Sequence, residues 1–172
     1  MRADITPRAT FPDYELPDEE GVNRRLSELQ GDDPTVLVLS RGHFCPKDHQ
    51  QHLELVKLKP RIDVAYTKVV TISTDDRAEI KEMKQETGAD WPFLSDTERI
   101  IQKDLEIQEK ADPYHDPMVP HTLVLAPGLK IHSIYCGYYF WGRPSRDELW
   151  HDLREVFKET KADFDPTTTV AA

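Results

Sequence analysis

The chain has 172 residues, enough for one domain with a buried core; 31% of them are charged and the net charge is -10. This negative charge argues against nucleic acid or an anionic membrane surface as a partner. There is no run of 18 apolar residues, and two cysteines are too few for a disulfide framework. Composition therefore favours a cytoplasmic protein with free thiols.

Composition also sets expectations for the two ends of the chain. The N-terminal segment is broken by Pro7, Pro12 and Pro17 and lacks the apolar stretch that a signal peptide needs. No linker or repeat divides the sequence, so we expect a single domain over residues 1–162. Residues 163–172 have almost nothing to bury and are predicted to form a disordered tail.

In chain order, the first predicted core elements are a strand, a helix and a second strand. The continuous apolar run over residues 35–39 is typical of a strand buried on both faces. From Pro46 to about Lys59, apolar residues recur at helical spacing, and Pro60 is predicted to end this helix. The run KVVTIST over residues 68–74 predicts the second buried strand.

A second helix and a short apolar segment follow. Asp75 or Asp76 is suited to cap the helix, and Gly88 is suited to its C-terminal cap. Residues 91–94 are short and apolar, and a further helix is predicted through about Leu105.

The last third of the chain predicts a hairpin and a final helix. Residues 121–126 are the third core strand, and residues 130–135 alternate as its antiparallel partner after a Pro-Gly turn. Residues 145–148 match a capping box that opens an amphipathic helix. Two parallel strands joined by crossovers, with an antiparallel edge, predict an α/β, thioredoxin-like fold with a central mixed sheet flanked by helices.

Cys45 lies where the first buried strand ends and a helix begins, in the stretch SRGHFCPKDHQQH. Pro46 suits the first helical position, since its missing N–H would have no partner there. Unpaired N–H groups and the positive end of the helix dipole favour the thiolate, which is the reactive form. Arg41 and Lys47 add positive charge nearby. This setting predicts a functional thiol, with a buried and inert cysteine as the alternative.

The segment LVLSRGHFCPKDHQ resembles the RGxWCPxC segment of the peroxiredoxin-like branch of the alkyl hydroperoxide reductase/thiol-specific antioxidant family. The resemblance extends over about residues 10–160, where VVTISTD is similar to the family's second core strand and VPHTLVLAPGLKIHSIYCGYYFWGRPS to its terminal hairpin. It implies a thiol peroxidase without a cofactor. Cys45 would be oxidised by a hydroperoxide and regenerated by a small thiol or a thioredoxin-type reductant.

Three departures from the family's motifs affect the expected chemistry. A hydroxyl usually stands three residues before the cysteine and a proline seven residues before it, but this chain has Gly42 and Val38 there. Asp48 replaces the second cysteine of a CxxC pair, and Gln50 replaces a resolving cysteine five residues on. Other donors must therefore activate the peroxide. Asp48 is stabilised by the helix dipole, and its charge would oppose thiolate formation. It is expected either to moderate the pKa of the thiol or to pair with Lys47 or a nearby histidine.

Peroxide reduction needs donors that stabilise the departing oxygen while the thiolate attacks. Arg41 is the nearest fixed cation to Cys45, and Arg143 lies in the region that supplies the family's peroxide-binding arginine. His121 is either a base or donor facing the thiol or a structural histidine. These four residues are the candidate catalytic set. The resemblance also implies a cis-proline at Pro120, which would shape the wall of the site.

Substrate is expected to contact residues that flank the thiol or form its rim, namely Gly42, Phe44, Pro46, Pro120 and Trp141. The aromatic run over residues 138–141 has two further interpretations: a homodimer interface, or closure of the core.

Two other functions remain open from the sequence. Cys45, His49 and His52 fall at helical positions i, i+4 and i+7, and with His43 they suggest a copper or zinc carrier. A catalytically silent thioredoxin-like scaffold is the other alternative. Cys136 is predicted to lie one strand too far away to form a disulfide with Cys45, so the default is a one-cysteine cycle.

Overall fold

The computed structural model describes residues 1–138 and 141–160 of the chain. Its strands and helices, in chain order, are β1 (Glu15–Pro17), β2 (Asn23–Arg25), α1 (Leu26–Gln30), β3 (Thr35–Leu39), α2 (Pro46–Asp63), β4 (Lys68–Ser73), α3 (Arg77–Thr87), β5 (Phe93–Ser95), α4 (Ile100–Asp104), β6 (His121–Ala126), β7 (Lys130–Cys136) and α5 (Arg146–Thr160).

The core is a five-stranded mixed sheet in the order β5-β4-β3-β6-β7, and β1 and β2 form a separate antiparallel pair. β3 and β4 are parallel, as are β4 and β5, whereas β6 and β7 are antiparallel to their neighbours. This arrangement confirms the predicted parallel strands with an antiparallel edge.

The side chains of β3 alternate between two apolar layers, as the period of a strand requires. Leu37 and Leu39 belong to the layer that contains residues of α1 and α4. Val36 and Val38 belong to the layer that contains residues of α2, α3 and α5. All five β3 residues are buried, so helices on both faces explain the continuous apolar run in the sequence.

The predicted helix caps are confirmed. The Asp76 carboxylate accepts the N–H of Glu79 at 2.9 Å, and the Glu79 side chain accepts the N–H of Asp76. Gly88 ends α3 in the left-handed conformation, at φ 72°. At the start of α5, Ser145 Oγ accepts the N–H of Glu148 at 3.2 Å, which completes the second capping box.

The prediction that Pro60 ends the helix that begins at Pro46 is wrong. α2 continues through Pro60 to Asp63, because its last turn carries Ile62, which is fully buried in the core. A proline removes one backbone donor, and tertiary packing outweighs that loss here. The helix predicted through Leu105 is also shorter than expected, since α4 spans five residues.

Two expectations lie beyond what the structure describes. The predicted tail, residues 163–172, lies outside the described residues, and the extent of the domain over residues 1–162 likewise stays a prediction. No helix in the described part of the chain is long and apolar enough to cross a membrane.

The sheet brings three chain segments to one end. β3 runs into the segment that carries Cys45, and the start of β6 lies beside the end of β3, where His121 pairs with Leu39. The end of β7 lies beside the start of β6, where Cys136 pairs with His121. The residues that follow β7, including Arg143, therefore begin at the same end of the sheet as Cys45.

Candidate active site around Cys45

Cys45 is the N-cap residue of α2 and is fully buried. Its carbonyl accepts the N–H groups of Asp48 and His49, both at 3.1 Å. Its own N–H donates to the carbonyl of Gly42 at 3.0 Å, so this amide already has a partner. Pro46 occupies the first helical position as predicted, and the thiol lies at the positive end of the α2 dipole.

Two guanidinium groups converge on the sulfur. Arg41 Nη1 donates to Cys45 Sγ at 3.6 Å, and Arg143 Nη2 donates to it at 3.9 Å. The side chains of Arg41 and Arg143 are only 7% and 11% exposed, so water screens their charges weakly. Both guanidiniums therefore present positive charge to the sulfur across a short distance.

Asp48 holds Arg143 in place. The carboxylate is fully buried, and its Oδ1 accepts hydrogen bonds from Arg143 Nε at 2.7 Å and Nη2 at 2.5 Å. Its Oδ2 accepts the backbone N–H of Arg41 at 2.7 Å and the Ser40 hydroxyl at 3.2 Å. The predicted pairing of Asp48 with Lys47 or a histidine is wrong, because the returning chain supplies Arg143. Asp48 therefore fixes both arginine segments around the thiol.

Arg41 is held by the segment Glu109–Pro117, which we call the strap. Arg41 Nε donates to Glu109 Oε2 at 2.6 Å, and Nη2 donates to Glu109 Oε1 at 3.3 Å and Asp112 Oδ2 at 3.2 Å. Burial acts to lower the pKa of Arg41, but the hydrogen bonds with Glu109 and with Cys45 outweigh it and raise the pKa. The guanidinium therefore stays charged beside the sulfur.

Aromatic contacts give the strap a second attachment. The ring of His115 stacks on Phe44, with centroids 3.6 Å apart and planes 3° from parallel. The Arg41 guanidinium also lies over the Phe44 ring, with its central carbon 5.1 Å from the ring centroid. Phe44, predicted to bind substrate, thus joins the segment that carries the thiol to the strap.

Gly42 stands where the family usually has a hydroxyl, and the structure gives the reason for a glycine. Its φ is +129°, and a Cβ atom there would lie 2.4 Å from Asp75 Oδ1. The Asp75 carboxylate occupies that space because it accepts the His43 N–H at 2.8 Å and the Ser73 hydroxyl at 2.9 Å. Burial raises the pKa of Asp75 to about 6.

His121 and Pro120 are buried at the start of β6. The His121 ring is hydrogen-bonded through Nδ1 to the carbonyl of Val119 at 2.7 Å, and burial lowers the pKa of His121. The structural interpretation of this histidine is therefore favoured, and its catalytic role stays a prediction. The described residues contain no cis peptide bond, so the cis-proline expected at Pro120 is wrong.

The aromatic rim is only partly described, because residues 139–140 lie outside the described residues. Tyr138 and Trp141 are 66% and 75% exposed. The carbonyl of Trp141 accepts Arg143 Nη1 at 3.0 Å, so the rim supports the arginine through its backbone. Closure of the core by these two side chains does not fit their exposure. Their proposed contact with substrate or a second subunit stays a prediction.

The copper or zinc site predicted at Cys45 is not supported. His52 is fully buried, its Nδ1 lies 2.6 Å from the carbonyl of Asp48, and its Nε2 lies 3.0 Å from Thr71 Oγ1. Both ring nitrogens therefore have protein partners, and burial lowers the pKa of His52. Among the described residues, no cluster of metal-ligating side chains includes Cys45.

Cys45 and Cys136 are both free thiols, the first buried and the second exposed. Cys136 pairs with the first residue of β6, which itself pairs with the last residue of β3. It is therefore two strands away from the strand that leads into Cys45, or about 10 Å at the usual spacing. This placement supports the predicted one-cysteine cycle, because a disulfide needs Cα atoms within about 7 Å.

Three functional positions were missed by sequence reasoning. Glu109 and Asp112 bind Arg41 from 68 and 71 residues away, and no local pattern signals such a contact. Gly137 is the third, because a Cβ atom there would lie 2.9 Å from Arg143 Nη1 and from Pro120 Cγ.

A family model described as the AhpC/TSA family matches residues 7–134. A protein of Mycobacterium tuberculosis that is named as a peroxiredoxin is 32% identical over 92 residues, which are 54% of this chain and 60% of that protein. The aligned region thus spans about three fifths of this relative. The family match ends before Arg143, so the role of that residue rests on geometry.

Solved structures show the same fold at low sequence identity. Peroxidoxin BcpB from Mycobacterium tuberculosis is 22% identical, with a TM-score of 0.71 over 92% of this chain and 98% of that one. Peroxiredoxin 6 of Arenicola marina is 18% identical, with a TM-score of 0.76 over 92% and 75% of the chains. The thiol peroxidase from Chromobacterium violaceum is 16% identical, with a TM-score of 0.72 over 87% of each chain. The predicted thioredoxin-like fold is confirmed.

Proposed function

The chain belongs to the AhpC/TSA family, and from that premise we propose that it is a thiol peroxidase that reduces hydroperoxides at Cys45. The observation that carries this proposal is the convergence of Arg41 and Arg143 on the buried Sγ, at 3.6 Å and 3.9 Å. One arrangement of donors can stabilise the thiolate before the reaction and the departing oxygen during it.

The reaction begins with attack of the Cys45 thiolate on the distal oxygen of the hydroperoxide. A sulfur–oxygen bond forms, the oxygen–oxygen bond breaks, and its electron pair leaves on the other oxygen. That oxygen is released as an alcohol, or as water, after it takes up a proton. Cys45 is oxidised to sulfenic acid and the hydroperoxide is reduced. In this proposal, Arg41 and Arg143 donate to the oxygen that becomes negative, in place of the hydroxyl that Gly42 lacks.

Regeneration needs an external thiol. A small thiol or thioredoxin-type reductant attacks the sulfenic sulfur and releases water, which gives a mixed disulfide. A second thiol then displaces Cys45 and leaves as the oxidised reductant. The separation of Cys136 from the strand that leads into Cys45 supports this one-cysteine cycle. A cytoplasmic setting is part of the proposal, because reducing compartments keep such thiols free.

The proposal is tested by treating reduced protein with one equivalent of hydrogen peroxide in the presence of a sulfenate-trapping reagent. Stoichiometric trapping at Cys45, measured by intact and peptide mass, is expected for the wild type and for Cys136→Ser. It should be lost in Cys45→Ser. Modification no faster than that of free cysteine would contradict the peroxidase and favour the silent scaffold.

A further inference from the structure

Three metal-ligating side chains lie close together beside the segment that carries Cys45. His43 lies two residues before Cys45, and Glu82 and Glu86 lie one turn apart on α3. We propose that His43, Glu82 and Glu86 bind a divalent transition-metal ion of the zinc class.

The spacing of these side chains fits one ion. Ligating atoms of His43, Glu82 and Glu86 all lie within 4.8 Å of one another, and no other group of three or more such side chains in the described residues is this close. His43 Nε2 lies 3.0 Å from Glu86 Oε2. A tetrahedron with metal–ligand bonds of about 2.1 Å has edges of about 3.4 Å, so this distance lies within a few tenths of an ångström of that edge.

The negative charges of Glu82 and Glu86 also favour the binding of a cation. Glu82 and Glu86 are four residues apart on one helix, where like charges destabilise each other. The salt-bridge partners of Glu86 among the described residues are two imidazoles rather than a lysine or an arginine. A divalent ion would neutralise both carboxylates at once.

The ligand types select the class of metal. Imidazole nitrogens suit zinc, copper, nickel and cobalt, whereas magnesium and calcium prefer oxygen ligands alone. The site differs from the one suggested by the sequence, because it uses neither the Cys45 thiol nor His52. It joins the segment that precedes α2 to α3, and it is independent of the proposed peroxidase reaction.

The test uses tag-free full-length protein, stripped with a chelator and titrated with cobalt(II) and then zinc(II). One equivalent of cobalt should bind with visible bands of a tetrahedral nitrogen–oxygen site, and zinc should displace it. The near-ultraviolet charge-transfer band of a thiolate ligand should be absent. Binding should weaken as the pH falls, because imidazole ligands must be deprotonated. Activity is not a readout, so failure of either proposal leaves the other standing.

Variants assign the ligands. Glu82→Gln and His43→Gln should each weaken cobalt binding by at least about tenfold, since loss even of outer-shell partners costs this much. Glu98→Gln and His151→Gln change exposed residues outside the cluster and should leave it unchanged. Circular dichroism would confirm that each variant is folded. Equal affinity in all four variants, a thiolate charge-transfer band lost in Cys45→Ser, or no stoichiometric binding would each overturn the proposal.

Discussion

At the scale of single residues, the site depends on buried charges that balance one another. Arg143 is held by Asp48, and Arg41 is held by Glu109 and Asp112. Each guanidinium also donates to the sulfur, so its position matters as much as its charge. A buried ion pair is costly to break, because the remaining charge loses its partner without gaining water.

Arg143→Gln should slow the reaction of Cys45 with peroxide by about 100-fold, the usual cost of losing one donor to a developing negative charge. Arg143→Lys keeps a cation beside Asp48 but loses the two-pronged donation, so its rate should be intermediate. Arg146→Gln is the control, because Arg146 is exposed and pairs with Glu54. The rate of peroxide consumption is the measurement. A wild-type rate in folded Arg143→Gln would remove this arginine from the mechanism.

Asp75 should make stability depend on pH near the site. Burial raises its pKa to about 6, whereas the unfolded value is about 3.9. The folded state therefore binds this proton more tightly. The contribution is fully present below about pH 4 and is lost as the pH rises through about 6, with a span of up to about 3 kcal/mol.

Asp75→Asn should remove this dependence of stability on pH. The difference in unfolding free energy between Asp75→Asn and the wild type, measured by urea titration from about pH 4 to pH 7, isolates the residue. The comparison with the wild type is needed because burial also lowers the pKa of His52 and His121. Those two shifts make stability rise with pH, opposite to the effect of Asp75. A difference that does not change with pH would show that Asp75 ionises in the folded state as it does in the unfolded chain.

At the scale of elements, the strap couples a surface segment to the thiol. It is closed at its base, where the N–H of Glu109 donates to the carbonyl of Pro117 at 2.9 Å. Its inner face carries Glu109 and Asp112, which bind Arg41, and His115, which stacks on Phe44. Since Cys45 is fully buried, a peroxide reaches it only when side chains around the sulfur move.

Glu109→Gln should loosen the strap and lower stability by about 2–4 kcal/mol, because Arg41 loses its closest charged partner. Amide hydrogen exchange over residues 109–117 should speed up, while exchange in β3 and β4 should not change. The matched control is Glu98→Gln, whose side chain is exposed. Unchanged exchange over the strap would mean that Glu109 does not fasten it.

Elements were predicted from the sequence where local rules decide and were missed where tertiary packing decides. β3, β6 and both capping boxes follow from apolar runs and local hydrogen bonds. Pro60 was expected to end α2, but buried Ile62 keeps the helix intact for another turn. Cys45 and the two arginines were found from position and resemblance. Their pairing with acidic side chains was not predicted, because those contacts join chain segments 68 to 95 residues apart.

At the scale of the whole molecule, the order of the strands decides how the oxidised thiol is resolved. Cys136 lies on the edge strand β7 and Cys45 follows the central strand β3, with β6 between them. Peroxide treatment without a reductant should therefore add one oxygen atom to the chain. It should not remove the two hydrogen atoms that an intramolecular disulfide would remove. Intact mass before and after treatment measures this, with Cys136→Ser as control. A disulfide between Cys45 and Cys136 would contradict the one-cysteine cycle.

The most direct test of the central claim is the second-order rate constant for reduced protein with hydrogen peroxide, measured by stopped flow at neutral pH. If two guanidiniums activate Cys45, the wild type and Cys136→Ser should react orders of magnitude faster than free cysteine. Cys45→Ser should not react. A wild-type rate equal to that of free cysteine would contradict the claim that this site activates its thiol.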